Sequence, residues 1–156
     1  MSIAGVAGLL CAHNTSVAYE ADSALKRGHE AYLRGALDEA IADFTEAIRF
    51  DPKFAMAFCN RGKGYMSNRQ YDKAIADCTD AIRLDPKYAL AYYNRGVAQG
   101  NKREWDNAIG DFTEAIRFDP NYAKAYRMRG LAYRMKGEEA NAAADFARAT
   151  ALGYTP

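Results

Sequence analysis

Residues 40–52 read AIADFTEAIRFDP, residues 74–86 read AIADCTDAIRLDP and residues 108–120 read AIGDFTEAIRFDP. The first and third differ at one of thirteen positions, and successive starts lie 34 residues apart. The same step relates Gly28, Gly62, Gly96 and Gly130, and also Pro52, Pro86 and Pro120. Self-similarity at a fixed period of roughly 20–50 residues marks a stack of small units, none able to bury its apolar side alone.

Each period reads as two helices. In the third, Ala91, Tyr92, Gly96 and Val97 form a 3.6-residue stripe that breaks near Gly100-Asn101-Lys102. A second stripe runs through Trp105, Ala108, Ile109, Phe112, Ala115 and Ile116. Asp38, Asp72 and Asp106 fall in the opening turns of the second helices, where a negative charge complements the helix dipole. Asp119-Pro120-Asn121-Tyr122 ends the third unit with type I turn chemistry, Asp accepting at the first position and Pro fixing φ at the next. Glycine inside a helix costs about 1 kcal/mol relative to alanine. Four of them at one register imply a backbone approach, with Ala40, Ala74, Ala108 and Ala142 as the expected partners. The surrounding aromatics, Phe58, Tyr92 and Tyr126 with Phe44, Phe112 and Phe146, read as core rather than as a cofactor pocket.

These residues resemble the tetratricopeptide repeat (TPR) family. The resemblance covers residues 21–156 as four units: 21–54, 55–88, 89–122 and 123–156. Unit two carries Phe58, Gly62, Tyr65, Ala74, Ala81 and Pro86 at signature positions. Departures are Ala24 and Ala31 in unit one, Cys78 for an aromatic in unit two and Gln99 for a tyrosine in unit three. Unit four lacks the AIR and Asp-Pro ending but keeps Gly130, Tyr133, Ala142, Phe146 and Ala149 in register. The resemblance implies an all-α solenoid: antiparallel helix pairs stacked as a right-handed superhelix, with first helices lining a concave groove.

Arg27, Arg61, Arg95 and Arg129, and likewise Asp43, Asp77, Asp111 and Asp145, also recur at the 34-residue step. A charge ladder for a ligand is one reading. Strict periodicity favours the other, a structural Arg–Asp pairing that each unit must rebuild.

In the family, ligands meet variable first-helix positions. Here these are Asp22, Leu25, Lys26, His29 and Tyr32 in unit one, and Met56, Cys59, Asn60, Lys63 and Met66 in unit two. Unit three offers Leu90, Tyr93, Asn94 and Val97; unit four offers Lys124, Arg127, Met128, Leu131 and Arg134. The expected guest is a protein or peptide segment with an apolar centre and an acidic end, bound without catalysis, so that the chain acts as a scaffold or adaptor. Asn60 and Asn94 occupy matching places where family members hydrogen-bond a peptide backbone; Asn-Arg-Gly is equally the ordinary first-helix text of such repeats. The carboxylate-clamp subtype is disfavoured. Asn60 matches one clamp position, but Leu25, His29, Leu90 and Asn94 stand where cations and a further asparagine belong. The alternative is a structural repeat protein that assembles into a homo-oligomer through an uncapped C-terminal helix, with Phe146 and Leu152 on its outer face.

Composition narrows the remaining classes. In 156 residues, 21 Lys+Arg against 20 Asp+Glu give a formal charge of +1, which argues against nucleic-acid binding by broad phosphate neutralisation. With two histidines and three scattered cysteines, neither a zinc site nor a disulfide framework is expected, and no cofactor. His29 has no second ligand nearby in sequence, and Glu138-Glu139 opens a helix. No nucleophile has a visible base, so no catalytic residue is expected; Cys59 is the single candidate for a reactive thiol. Its partner on the facing helix would be Cys78, though helix axes about 8–10 Å apart make a disulfide reach awkward.

Residues 1–20 stand apart from the array. Ile3–Ala12 is an apolar run too short for a membrane span, which needs about 20 residues. It has the length of a signal-peptide core, and Ser16-Val17-Ala18 supplies small residues for cleavage, but no cation precedes it. A truncated signal peptide, implying a periplasmic or secreted protein, and a loosely docked tail on a cytoplasmic one both fit.

Overall fold

The computed structural model describes the backbone of residues 3–155 and side chains from Ser16 onward. The described residues form eight helices and no strand: α1 (Ile3–Leu33), α2 (Leu37–Phe50), α3 (Ala55–Ser67), α4 (Tyr71–Leu84), α5 (Ala89–Asn101), α6 (Trp105–Phe118), α7 (Ala123–Met135) and α8 (Glu139–Ala151). Each helix packs on its chain neighbour, and α1, α3, α5 and α7 also touch one another in sequence. The protein is an all-α solenoid whose first helices share one face. α1 reaches back to Ile3, and the first buried residue among those with described side chains is Ala21.

Glycine sets the distance between the two helices of each unit. A Cβ added at Gly96 would lie 2.8 Å from Phe112 Cε1 and 3.2 Å from the Ala108 carbonyl oxygen. The same carbonyl approach, 3.2 Å, recurs from Gly28 to Ala40, Gly62 to Ala74 and Gly130 to Ala142. In unit two the ring is replaced by Cys78, whose Sγ would stand 3.1 Å from the added Cβ. Phe44 and Phe112 are 1% exposed; their burial is the main apolar gain each hairpin makes.

The turns follow from the sequence. Asp51, Asp85 and Asp119 accept both from the backbone N–H two residues on, through Oδ1, and from the N–H three residues on, through the main-chain oxygen. Within each hairpin the turn needs one left-handed residue. Gly35 and Gly137 supply it in units one and four, but Arg69 (φ 58°) and Arg103 (φ 64°) do so in units two and three.

The Arg–Asp ladder is structural. Arg61, Arg95 and Arg129 each make two 2.8 Å hydrogen bonds to Asp77, Asp111 and Asp145 of their own unit. Their remaining Nη1 donates at 3.1 Å to Thr45, Thr79 and Thr113 of the unit before. One guanidinium therefore fixes a hairpin and locks it to its neighbour. Arg27, with no earlier unit to hold, is half-exposed and splits its donors between Asp43 and Glu46. A second lock joins the loops: Asn68 donates to Asp38, Lys102 to Asp72 and Lys136 to Asp106. The opening-turn aspartates thus serve the stack as well as the dipole.

Candidate peptide-binding groove

The face shared by α1, α3 and α5 carries a cavity of about 500 Å³ lined by Leu25, Lys26, His29, Glu30, Met56, Asn60, Tyr88 and Leu90. Met56 and Leu90 are 47% and 37% exposed, two of the few large apolar side chains left open to solvent. Asn60 stands half-buried between them. Further along, Val97, Met128 and Leu131 line a second, apolar cavity of about 280 Å³ with Trp105 and Met135. The α-helical repeat puts these residues together: positions 56, 60, 63 and 90, 94, 97 are successive turns of α3 and α5.

Several expected groove residues are already engaged. Asn94 is 4% exposed and its Nδ2 donates to Cys59 Sγ at 3.3 Å, so it does not stand open as Asn60 does. The reason lies in Cys59: a small side chain at this depth lets α5 close onto α3. Tyr93 is half-buried between Tyr122, centroids 4.9 Å apart, and Phe112, 5.9 Å apart, and forms floor rather than rim. Lys63 lays its ammonium 4.4 Å above the Tyr32 ring. Cys59 is buried, not groove-facing. Burial, only partly countered by its Asn94 and Tyr88 hydrogen bonds, raises its thiol to about 11, and Cys78 is pushed up further by burial. Both thiols are free and neither is a ready nucleophile.

A residue type that the sequence reading passed over builds the groove floor. The aromatic that ends each unit folds onto the first helix of the same unit: Phe54 packs with Leu25, Tyr88 packs on the cluster that holds Phe58 and Cys59, Tyr122 meets Tyr93, and Tyr154 lies 5.8 Å from the Arg127 guanidinium. The signal was present at 54, 88 and 122, two residues past each Asp-Pro. Tyr154 escapes the period because Gly153, at φ 84°, turns the chain two residues early.

Unit four is cationic on this side. Lys124 and Arg134 are exposed, and neither they nor Arg127 pair with a carboxylate among the described residues. Arg127 and Arg134 instead hold their guanidiniums 5.0 and 5.5 Å from the Phe146 ring. Phe146 presses on Gly130 but is only half-buried, while its counterparts Phe44 and Phe112 are 1% exposed. Leu152 is half-buried. The outward side of α8 also lacks what units one to three use to hold a successor. Ala140 replaces the aspartate, Ala147 the threonine, and Ala143 and Thr150 the two isoleucines.

Among the described residues no cluster of three or more His, Cys, Asp or Glu is placed to hold a metal ion, and no helix is long and apolar enough to cross a membrane.

Comparison with known families agrees with this geometry. The tetratricopeptide repeat model matches residues 55–88 and 89–122, and a second TPR repeat model matches residues 28–68. The chain belongs to the tetratricopeptide repeat family. Among solved structures, MamA is similar at 29% identity and a TM-score of 0.79, covering 85% of this chain and 77% of that one. The Arabidopsis OM64 TPR domain is similar at 25% identity and a TM-score of 0.75, covering 76% of this chain and 98% of the domain. The first TPR of Spaghetti (RPAP3), solved bound to an HSP90 peptide, shares the fold at 24% identity and a TM-score of 0.75, covering 77% and 95%. The TPR fold is generally a non-catalytic interaction scaffold, and this chain is built as a protein–protein interaction module.

Proposed function

We propose that the protein is a non-catalytic adaptor that takes a polypeptide segment along its concave face. The observation that carries this reading is the open apolar pair Met56 and Leu90, set around Asn60 in a 500 Å³ cavity. Isolated exposed apolar residues are ordinary, but a cavity where Leu25, Met56 and Leu90 surround an amide, with Lys26, His29 and Glu30 also in its lining, suits a side-chain anchor and a backbone hydrogen bond. The guest is a segment whose apolar centre fills this cavity and reaches toward Val97 and Leu131. Its acidic end lies against Lys124, Arg127 and Arg134, three cations of unit four with no carboxylate partner among the described residues.

The test is selection of binding peptides from a random display library, followed by titration of the best against variants. Met56→Glu with Leu90→Glu is expected to weaken binding at least tenfold, and Lys124→Glu with Arg134→Glu to weaken it and flatten its salt dependence. Helical content stays at the wild-type level in both. Peptides that bind all variants alike would place the guest elsewhere.

A further inference from the structure

Unit three breaks the repeat at two positions that line one cavity. In unit two the Arg61 guanidinium lies 5.6 Å from the Phe58 ring and 5.9 Å from the Tyr65 ring. In unit four Arg129 lies 5.6 Å from Tyr126 and 5.9 Å from Tyr133. Arg95 has the first ring, Tyr92 at 5.7 Å, but Gln99 stands where the second tyrosine belongs. The backbone register is unambiguous: Gln70, Glu104 and Glu138 donate their N–H to Tyr65, Gln99 and Tyr133 respectively. On the facing helix Gly110 replaces the alanine found at Ala76 and Ala144, and a Cβ there would meet nothing within 4 Å.

The two losses leave a cavity of about 550 Å³ lined by Tyr92, Arg95, Gln99, Asn107 and Gly110, and it shares no residue with either groove cavity. Gln99 Oε1 is buried there without a donor, alone in this respect among the described side chains. An acceptor so placed forfeits free energy until an N–H or O–H reaches it. The carboxylates at the rim are all paired: Asp111 with Arg95, Asp106 with Lys136 and Glu114 with Arg117. The charges cancel, so the cavity selects for shape and a donor rather than for a cation.

We propose that this outer-face cavity is a second binding site, which takes a neutral aromatic ring carrying an N–H or O–H donor. The ring lies against Arg95 where Tyr65 and Tyr133 lie against their arginines, and the buried Gln99 amide turns toward the cavity so that Oε1 accepts from the ring's donor. The site is independent of the groove reading. Its ligand is a tyrosine or tryptophan side chain of a partner, or a free aromatic of the same chemistry.

The test adds p-cresol, the tyrosine side chain without its backbone, to ¹⁵N-labelled full-length protein. Saturable shifts are expected at the Gln99 side-chain amide, Arg95 Nε–H and Gly110, at low-millimolar concentration, roughly what so few heavy atoms support. Toluene, lacking the donor, is expected to bind about fivefold more weakly, the worth of one net hydrogen bond. In Q99Y/G110A, which restores the text of units two and four, the Arg95 Nε–H no longer shifts. In Gln99→Ala, p-cresol and toluene bind alike. No saturable shift, equal binding of the two probes to the wild type, or an undiminished Arg95 Nε–H shift in Q99Y/G110A would each overturn the proposal. N-acetyltyrosinamide binding tighter than p-cresol points to a chain-borne ring, and weaker binding to a free aromatic.

Discussion

Replacing Gly96 by alanine sets two effects against each other, and the structure decides between them. Helix propensity alone predicts a gain of about 1 kcal/mol. The new Cβ, however, would stand 2.8 and 3.0 Å from Phe112 Cε1 and Cδ1 and 3.2 Å from the Ala108 carbonyl, inside normal carbon contact of about 3.5–4.0 Å. Phe112 is 1% exposed, so either its ring is forced toward the adjoining cavity of about 280 Å³ or α5 lifts off α6. Overpacking of this kind costs about 1–3 kcal/mol, and loosening one hairpin also strains the Arg95 locks to Asp111 and Thr79. The net expectation for Gly96→Ala is a loss of about 1–2 kcal/mol. Gly62→Ala meets no ring: besides the same carbonyl it meets Cys78 Sγ at 3.1 Å and Asp77 Cβ at 3.3 Å, and it is expected to fall within about 0.5 kcal/mol of wild type. Urea unfolding followed by circular dichroism gives both numbers. A double-mutant cycle with Phe112→Leu should return a favourable coupling of about 1 kcal/mol, since the smaller side chain yields the space. A Gly96→Ala protein as stable as wild type would refute the idea that glycine is there for helix contact.

Three further outcomes follow from the same geometry. Asp111→Ala strands the Arg95 guanidinium and is expected to cost about 3 kcal/mol, whereas Asp80→Ala, removing the exposed Arg83 pair, should cost less than about 0.5; equal losses would contradict the ladder's structural role. Arg69→Gly and Arg103→Gly relieve left-handed backbone at φ 58° and 64° and should each raise stability by about 0.5–1 kcal/mol in the same unfolding assay. In a Cys11→Ser background, Cys59 and Cys78 should resist thiol reagents at pH 8 until the protein unfolds. Because burial raises both thiols in the folded state, Cys59 to about 11 from 9.0, stability should fall as pH climbs from about 9 through 11; rapid labelling of the native protein would contradict this.

The stack was legible because its contacts are periodic. A glycine, an alanine and an arginine that return every 34 residues report a contact that every unit must make, and Gly28 to Gly130 and Arg61 to Arg129 make it. The groove was legible only in part, because access depends on neighbours that differ between units. Helical position brings Met56, Asn60 and Leu90 to the lining of one cavity. Asn94 was expected beside them, but whether it stays open depends on the size of Cys59 one unit earlier, a relation that helical spacing does not encode. The period aligns Phe146 with Phe44 and Phe112, but it does not encode that Arg127 and Arg134, one helix back, lie on its ring. The Gln99 cavity had a visible cue, a tyrosine missing from its register, whose meaning needed the facing Gly110.

The claim at the centre of this account is that a polypeptide enters the concave face, and methionine methyl groups report on it directly. In protein labelled at methionine ¹³Cε, a bound peptide with an apolar centre and an acidic end is expected to shift Met56 first and Met128 next. A peptide that binds while Met56 and Met128 keep their free positions would contradict it.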